Sequence, residues 1–364
     1  MRIRLLPRSC RAGIALIIVM VSIFVLAMLA GGFAYSMKVE TKLASNANFE
    51  SELLWLGRSG VEMARYVLGQ QLTIGCEPYD ALNQVWAGGS GSGCMSNSPL
   101  EGISLQNIPL ANGVIRSVTI VDCERKVNIN QAGEPVLQQA LILMGLDASE
   151  LPTIVSPIQD WIDPDKSLHI SGAESQFYQG FDPPYVAKDG PIDDMAELQL
   201  VNGMTPELYW GPKDHYALAA FQARDRRPGY QDQPPLYTAG LMDLFTPLGM
   251  PKININTASA EVLQLIPGID VNLAQAIVAA RSEGTMPGDP FIGPFVNLDP
   301  NYLWRKVPGL SLEGGRMLQQ YCDVRSRTFQ VTVEVEAGGY QRTFVAVLGR
   351  NSPRDVQVLT FYAK

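Results

Sequence analysis

The chain has 364 residues, room for two or three domains, and carries 28 basic against 36 acidic side chains for a net charge of −8. Four of the basic residues are arginines within the first 11 positions, so the remaining body is more acidic still, which argues against nucleic acid or an anionic lipid surface as its partner. Only two histidines occur, His169 and His215, and neither sits in a nucleophile–base or metal-ligand spacing; both read as ordinary loop residues, and no catalytic constellation is legible.

Arg2, Arg4, Arg8 and Arg11 precede any acid, the first of which is Glu40, and the chain is apolar and uncharged from Ile14 to Tyr35. As a helix this stretch crosses a hydrocarbon core of roughly 30 Å, and the basic leader keeps the N-terminus cytoplasmic while the body is exported. Three readings fit the segment. It is a cleaved secretory signal with small residues at Val25-Leu26-Ala27 or Ala30-Gly31, an uncleaved anchor, or a leader that ends at Gly13. A short basic leader ending in glycine before an apolar helix resembles the prepilin class, in which cleavage after Gly13 makes Ile14 the new N-terminus. Position five of the mature chain is then Ile18, where pilin-like proteins usually carry Glu; a subunit with no predecessor has no terminal ammonium to pair with such an acid.

No proline lies between Pro7 and Pro78, so one helix is expected from Ile14 to about Leu72, roughly 90 Å at 1.5 Å per residue. Beyond Lys38 the pattern turns amphipathic, with Leu53, Leu54, Val61, Ala64, Val67 and Leu68 on one face. Gly57 and Gly60 within it either admit a close approach to a sheet or bend the rod.

Past the helix, 88–93 is a Gly/Ser loop. Strands are expected at 114–121, 329–335, 342–348 and 356–362, with a hairpin at Ala337-Gly338-Gly339. Apart from Cys10 in the leader, Cys76, Cys94, Cys123 and Cys322 make an even number in an exported body and suggest two disulfides, with three possible connectivities. By position, Cys76–Cys94 closes the Gly/Ser loop and Cys123–Cys322 pins the ends of the segment between them.

That segment, 127–325, is helical and repetitive. Val127-Asn128-Ile129-Asn130-Gln131-Ala132 through Val136-Leu137-Gln138 reappears as Ile253-Asn254-Ile255-Asn256-Thr257-Ala258 through Val262-Leu263-Gln264, the mark of a duplicated unit. Asn130 and Asn256 are placed to cap or introduce the helices that follow. Val201-Asn202-Gly203-Met204, Ile266-Pro267-Gly268-Ile269 and Val307-Pro308-Gly309-Leu310 repeat an apolar-x-Gly-apolar turn, the helix-hairpin-helix pattern. Such hairpins often bind DNA, but 128–325 holds 12 Lys and Arg against 24 Asp and Glu, so each phosphate contact starts from repulsion. Asp160, Asp163 and Asp165, with Glu174, Asp182, Asp189, Asp193 and Asp194 further on, offer oxygen ligands for Ca²⁺ without the spacing of an EF-hand; turn and cap chemistry around the prolines is the competing explanation.

The Gly13/Ile14 junction and Ile18, together with Gln159-Asp160-Trp161-Ile162-Asp163-Pro164-Asp165, Asp182-Pro183-Pro184-Tyr185, Asp194-Met195-Ala196-Glu197-Leu198 and Asn254-Ile255-Asn256-Thr257-Ala258, make the chain resemble, over essentially its whole length, the minor pseudopilin K family of type II secretion systems, the general secretion pathway protein K family. The fold class expected is α+β: a pilin-like unit with a long N-terminal transmembrane helix packed on an antiparallel sheet, and a large inserted all-α domain of helix-hairpin-helix or SAM-like repeats. The divisions expected are a leader at 1–13, a transmembrane part at 14–36, a pilin-like part at 37–126, the insertion at 127–325 and C-terminal strands at 326–364. The resemblance implies a non-enzymatic subunit that is N-methylated at Ile14 and held as a single-pass protein in the bacterial inner membrane, with its body in the periplasm. It also implies a place at the pseudopilus tip, capping it and nucleating assembly. The partners implied are the I and J class minor pseudopilins, the major pseudopilin, a prepilin peptidase and the inner-membrane secretion platform, with no nucleic acid. A membrane-anchored DNA receptor and a minor pilin of a type IV pilus are the alternatives.

Overall fold

The computed structural model describes residues 11–91, 98–110, 113–211, 239–282 and 291–364. Helix α1 runs without a break from Arg11 to Gln71, 61 residues, as the proline-free stretch predicts. Its second half buries Leu53, Leu56, Val61, Ala64, Val67 and Leu68. Leu54, expected on this face, is only half-buried and Leu56 takes its place. The glycines are contact points rather than a bend. A Cβ on Gly57 would run into the Phe344 ring and one on Gly60 into Cγ1 of Val333, so their hydrogens let the helix lie close on the sheet.

The strands are β1 Gln106–Leu110, β2 Gly113–Asp122, β3 Val127–Asn128, β4 Phe245–Thr246, β5 Ile253–Asn254, β6 Cys322–Asp323, β7 Thr328–Ala337, β8 Tyr340–Ser352 and β9 Asp355–Ala363. Five of them form an antiparallel sheet in the order β1-β2-β7-β8-β9. Along β7, Phe329, Val331, Val333 and Val335 point at α1 while Gln330 and Glu334 face out, the alternation of a sheet with one covered face. Ala337 pairs with Tyr340 around Gly338 and Gly339, both at positive φ, the two-residue turn that matches strand twist. Asp122 at the end of β2 lies opposite Phe329 near the start of β7, so the chain leaves the sheet and returns to it at neighbouring points.

Between those points the described residues form a second core, from Val127 to Cys322, separate from the core between α1 and the sheet. Its helices are α2 Glu134–Leu143, α3 Pro152–Ile162, α4 Ser175–Tyr178, α5 Pro206–Trp210, α6 Leu241–Leu244, α7 Ala260–Leu263, α8 Val271–Ser282, α9 Pro300–Lys306 and α10 Leu312–Tyr321. The lobe is not purely helical: two short parallel strand pairs close it, β3 with β4 and β5 with β6. They divide it into two copies of one plan, each opening on a strand and ending on a strand that returns beside the first.

Three hairpin turns recur within these copies. Gly203, Gly268 and Gly309 sit at φ 81°, 82° and 82°. The N–H after each glycine donates to the carbonyl two residues before it, Met204 to Val201 at 3.2 Å, Ile269 to Ile266 at 3.1 Å and Leu310 to Val307 at 3.3 Å. One residue further, Thr205, Asp270 and Ser311 cap the next helix by accepting from Leu208, Leu273 and Gly314. The left-handed turn demands glycine, and the cap follows because a helix starts at once.

Two expectations are corrected here. Asn130 and Asn256 do not cap the helices after them, because those helices start beyond their reach, at Gly133 without a side-chain cap and at Ser259 with one. Each instead clamps the backbone of a distant residue through both amide atoms: Asn130 holds Ile192 at 2.9 and 2.7 Å, and Asn256 holds Phe295 at 3.0 and 2.7 Å. Likewise Cys123 and Cys322 are not joined; both are buried free thiols, pushed up to about 12 by burial. Cys322 is carried by β6 into the lobe core, whereas Cys123 lies outside that core, in the turn after β2 and next to Gly249. Cys94, and with it any Cys76–Cys94 bond, lies outside the described residues, as do Cys10 and His215.

Candidate anchor helix and acidic cluster

The first half of α1 is bare. From Ala15 to Ala44 every residue is exposed, and an 18-residue window reaches a mean hydropathy of 2.7, long and apolar enough to cross a membrane. The Gly13–Ile14 junction lies in the opening turn of this helix and Ile18, 60% exposed, faces outward along it. Ser22 and Thr41 donate their hydroxyls to the carbonyls of Ile18 and Met37, at 2.8 and 2.7 Å, so neither presents an unmet hydrogen-bond group on that surface. In the second half, Trp55 and Tyr66 remain exposed on the side away from the sheet, with the Arg58 guanidinium 5.4 Å from the Trp55 ring.

The acidic cluster is built on α3 and the chain that follows it. The apolar positions Ile154, Val155, Ile158 and Trp161 turn into the lobe core, which carries Asp160 inside with them. Its Oδ1 meets Nδ1 of His169 and accepts from the His169 N–H at 3.2 Å. Asp163 Oδ2 stands 3.7 Å from the same ring nitrogen, and one ligand atom from each of Asp160, Asp163 and His169 falls within 4.8 Å of the others. The hydrogen bond that Asp160 accepts holds the His169 imidazole above its usual pKa, and burial first, then neighbouring carboxylates, raises Asp163 and Glu174. Oδ2 of Asp160, Oδ1 of Asp163, Oε1 of Glu174 and Oδ1 of Asp189 are buried and find no hydrogen-bond partner among the described residues. A set of desolvated, unpartnered carboxylate oxygens of this kind suits a hard cation such as Ca²⁺. A Cβ on Gly172 would run into Asp160 Oδ2, so glycine there keeps that oxygen clear.

Of the three aspartates that the sequence singles out, Asp160 and Asp163 offer ligand atoms to one cluster with His169, while Asp165 stands close enough to raise Asp163 but turns an oxygen to Ser167 N at 2.7 Å as a turn residue. Asp193 pairs with Lys188 at 2.6 Å, and Asp194 shares a capping box with Glu197. His169, read from sequence as an ordinary loop residue, is the member that reasoning from spacing missed: nine positions from Asp160, it arrives through the fold of the loop.

Residues 110–211 match the family described as type II secretion system (T2SS), protein K, and residues 250–286 match the helix-hairpin-helix motif. The chain is similar to the type II secretion system protein K of Pseudomonas aeruginosa, 24% identical over 97% of this chain and 92% of that one. It is also similar to the protein K of Aeromonas hydrophila, 24% identical over 55% of this chain, and to that of Klebsiella pneumoniae, 28% identical over 25% of it. Those two alignments span 62% and 32% of the relatives' own lengths. Among solved structures, the GspK-GspI-GspJ complex from the type 2 secretion system of enterotoxigenic Escherichia coli contains a chain of the same fold. The TM-score is 0.60 at 18% identity, covering 88% of this chain and 99% of that one.

Proposed function

We propose that this chain belongs to the type II secretion system protein K family and is a minor pseudopilin that caps the periplasmic pseudopilus and nucleates its assembly during protein secretion. The observation that carries this reading is the architecture: a helix bare and apolar in its first half and docked on a sheet in its second, with a bulky lobe inserted between β2 and β7. The leader is removed after Gly13, Ile14 becomes the methylated N-terminus, and α1 holds the body on the periplasmic side of the inner membrane. The exposed side of α1 bundles with the helices of I and J class minor pseudopilins, a reading supported by the complex in which the solved relative was found. The major pseudopilin, the prepilin peptidase and the inner-membrane platform complete the set of partners. Ile18 leaves the first subunit without an acid that no predecessor would neutralise. Asp160 and Asp163, with Glu174 and Asp189, hold a divalent cation that ties the loop after α3 to the lobe.

A DNA receptor is the weaker reading. Within 253–282, the stretch that resembles a DNA-binding hairpin, Arg281 is the one basic residue, and its guanidinium donates to the Ile255 carbonyl at 2.6 Å instead of standing free for a phosphate. Two measurements on the full chain test the proposal. Gly13→Val retains the leader, seen in the intact mass of the protein extracted from membranes; a normally shortened product defeats the prepilin assignment. Co-expressed I and J class subunits copurify with the chain in detergent; salt-dependent retention of duplex DNA with no pseudopilin bound overturns the assembly role.

A further inference from the structure

The two cores meet at a knot of polar side chains that water does not reach. Asp80, Asp122, Asn254, Thr257, Ser326 and Arg350 are all buried there. Arg350, on β8, places its guanidinium against the Asp80 carboxylate, the Ser326 carbonyl at 2.7 Å and the carbonyl of Leu68 in α1 at 3.2 Å. Asp80 also accepts the Ser326 N–H at 3.0 Å. Asp122, at the end of β2, takes hydroxyl donors from Thr257 and Ser326, each at 2.6 Å. The amide nitrogen of Asn254, from the lobe, lies 3.1 Å from the Asp80 carbonyl, 3.1 Å from Asp122 Oδ2 and 2.7 Å from Ser326 Oγ. Beside it Glu124 gathers the N–H groups of Arg327, Thr328 and, from the lobe, Met250. Burial raises the Asp122 carboxyl and pushes that of Glu124 up to about 7.

The duplication supplies an internal comparison. Asn128 in the first copy and Asn254 in the second make the same local turn, accepting from the N–H two residues on. The Asn128 amide donates to the Gly249 carbonyl of a nearby loop at 2.7 Å, whereas that of Asn254 reaches out of the lobe into the sheet unit. Sequence repetition accounts for the turn but not for the reach.

We propose that this knot is a rigid joint: it fixes the lobe on α1 and the sheet so that both cores open together and the lobe cannot swing. This holds whether or not the chain caps a filament. A buried network whose donors come from both sides opens only if several desolvated groups lose their partners at once, which penalises any independent hinge motion. Native-state hydrogen exchange of the full chain in detergent, read by mass spectrometry over rising denaturant, tests it. In the wild type, amides of 253–282 and 291–323 and those of 327–350 converge on one opening. Asn254→Ala separates them, the lobe amides losing about tenfold or more in protection relative to the sheet. Thr257→Val gives the same separation in smaller degree and serves if Asn254→Ala fails to fold, while Asn128→Ala leaves the two sets coupled. Two openings already in the wild type, or equal loss on both sides in Asn254→Ala and Thr257→Val, overturn the joint.

Discussion

At the scale of single residues, the clearest case is the pair of asparagines that repeat in sequence and do the same work in space. Asn256 is buried, and both of its amide atoms engage the backbone of Phe295, itself fully buried. Removing the amide leaves a carbonyl and an N–H unmet away from water, so Asn256→Ala should destabilise the chain by about 2–3 kcal/mol. Asn130→Ala, at a half-buried position where water can replace the lost groups, should cost less. Denaturant melts of the two variants check the order; equal or reversed losses would show that the clamps do not carry this stability. The repetition of Asn was visible in the sequence, but the clamp was not, because its second half lies at Ile192 or Phe295 with no motif to mark it. His169 stayed hidden for a related reason: a lone imidazole has no signature until a fold places a buried carboxylate beside it.

At the scale of elements, α1 and the sheet are matched by an absence of side chains. Gly60 lies over Val333, and any larger residue must push the helix off β7. Gly60→Leu is therefore expected to destabilise by about 1–3 kcal/mol despite its better helix propensity, while Ser51→Leu, at an exposed position of the same helix, should change stability little. Thermal melting of the pair decides whether propensity or packing prevails at this contact. The helix itself was legible, since an uninterrupted apolar and then amphipathic run without proline has few other fates. The strands near 114–121 and 329–362 were legible through alternation and the Gly-Gly turn. β1 and the two-residue strands were not, being too short to show a period; they exist because the chain returns to them.

At the scale of the whole molecule, the lobe's acidity and its carboxylate cluster have a measurable consequence. If the oxygens of Asp160, Asp163, Glu174 and Asp189 hold a cation in the folded state alone, calcium at a hundred times its Kd adds about 2.7 kcal/mol to stability and a chelator takes it away. The thermal midpoint should thus rise with calcium and fall with EGTA, and Asp160→Asn should weaken that response. A midpoint indifferent to both reagents would mean that the carboxylates are neutralised by protons and by His169 instead.

Local order in this chain was written in its residues: hydrophobicity specifies the rod, alternation the strands, and the apolar-x-Gly-apolar turn the three hairpins. These depend on periods and neighbours within a few positions, which a sequence carries directly. What depended on the fold was every contact made at long range. The partner of each clamp, the separation of Cys123 from Cys322, the meeting of His169 with Asp160, and the joint between lobe and sheet all join residues from elements that only packing brings together. Desolvation, which sets the strength of each such contact, exists only once the cores have closed.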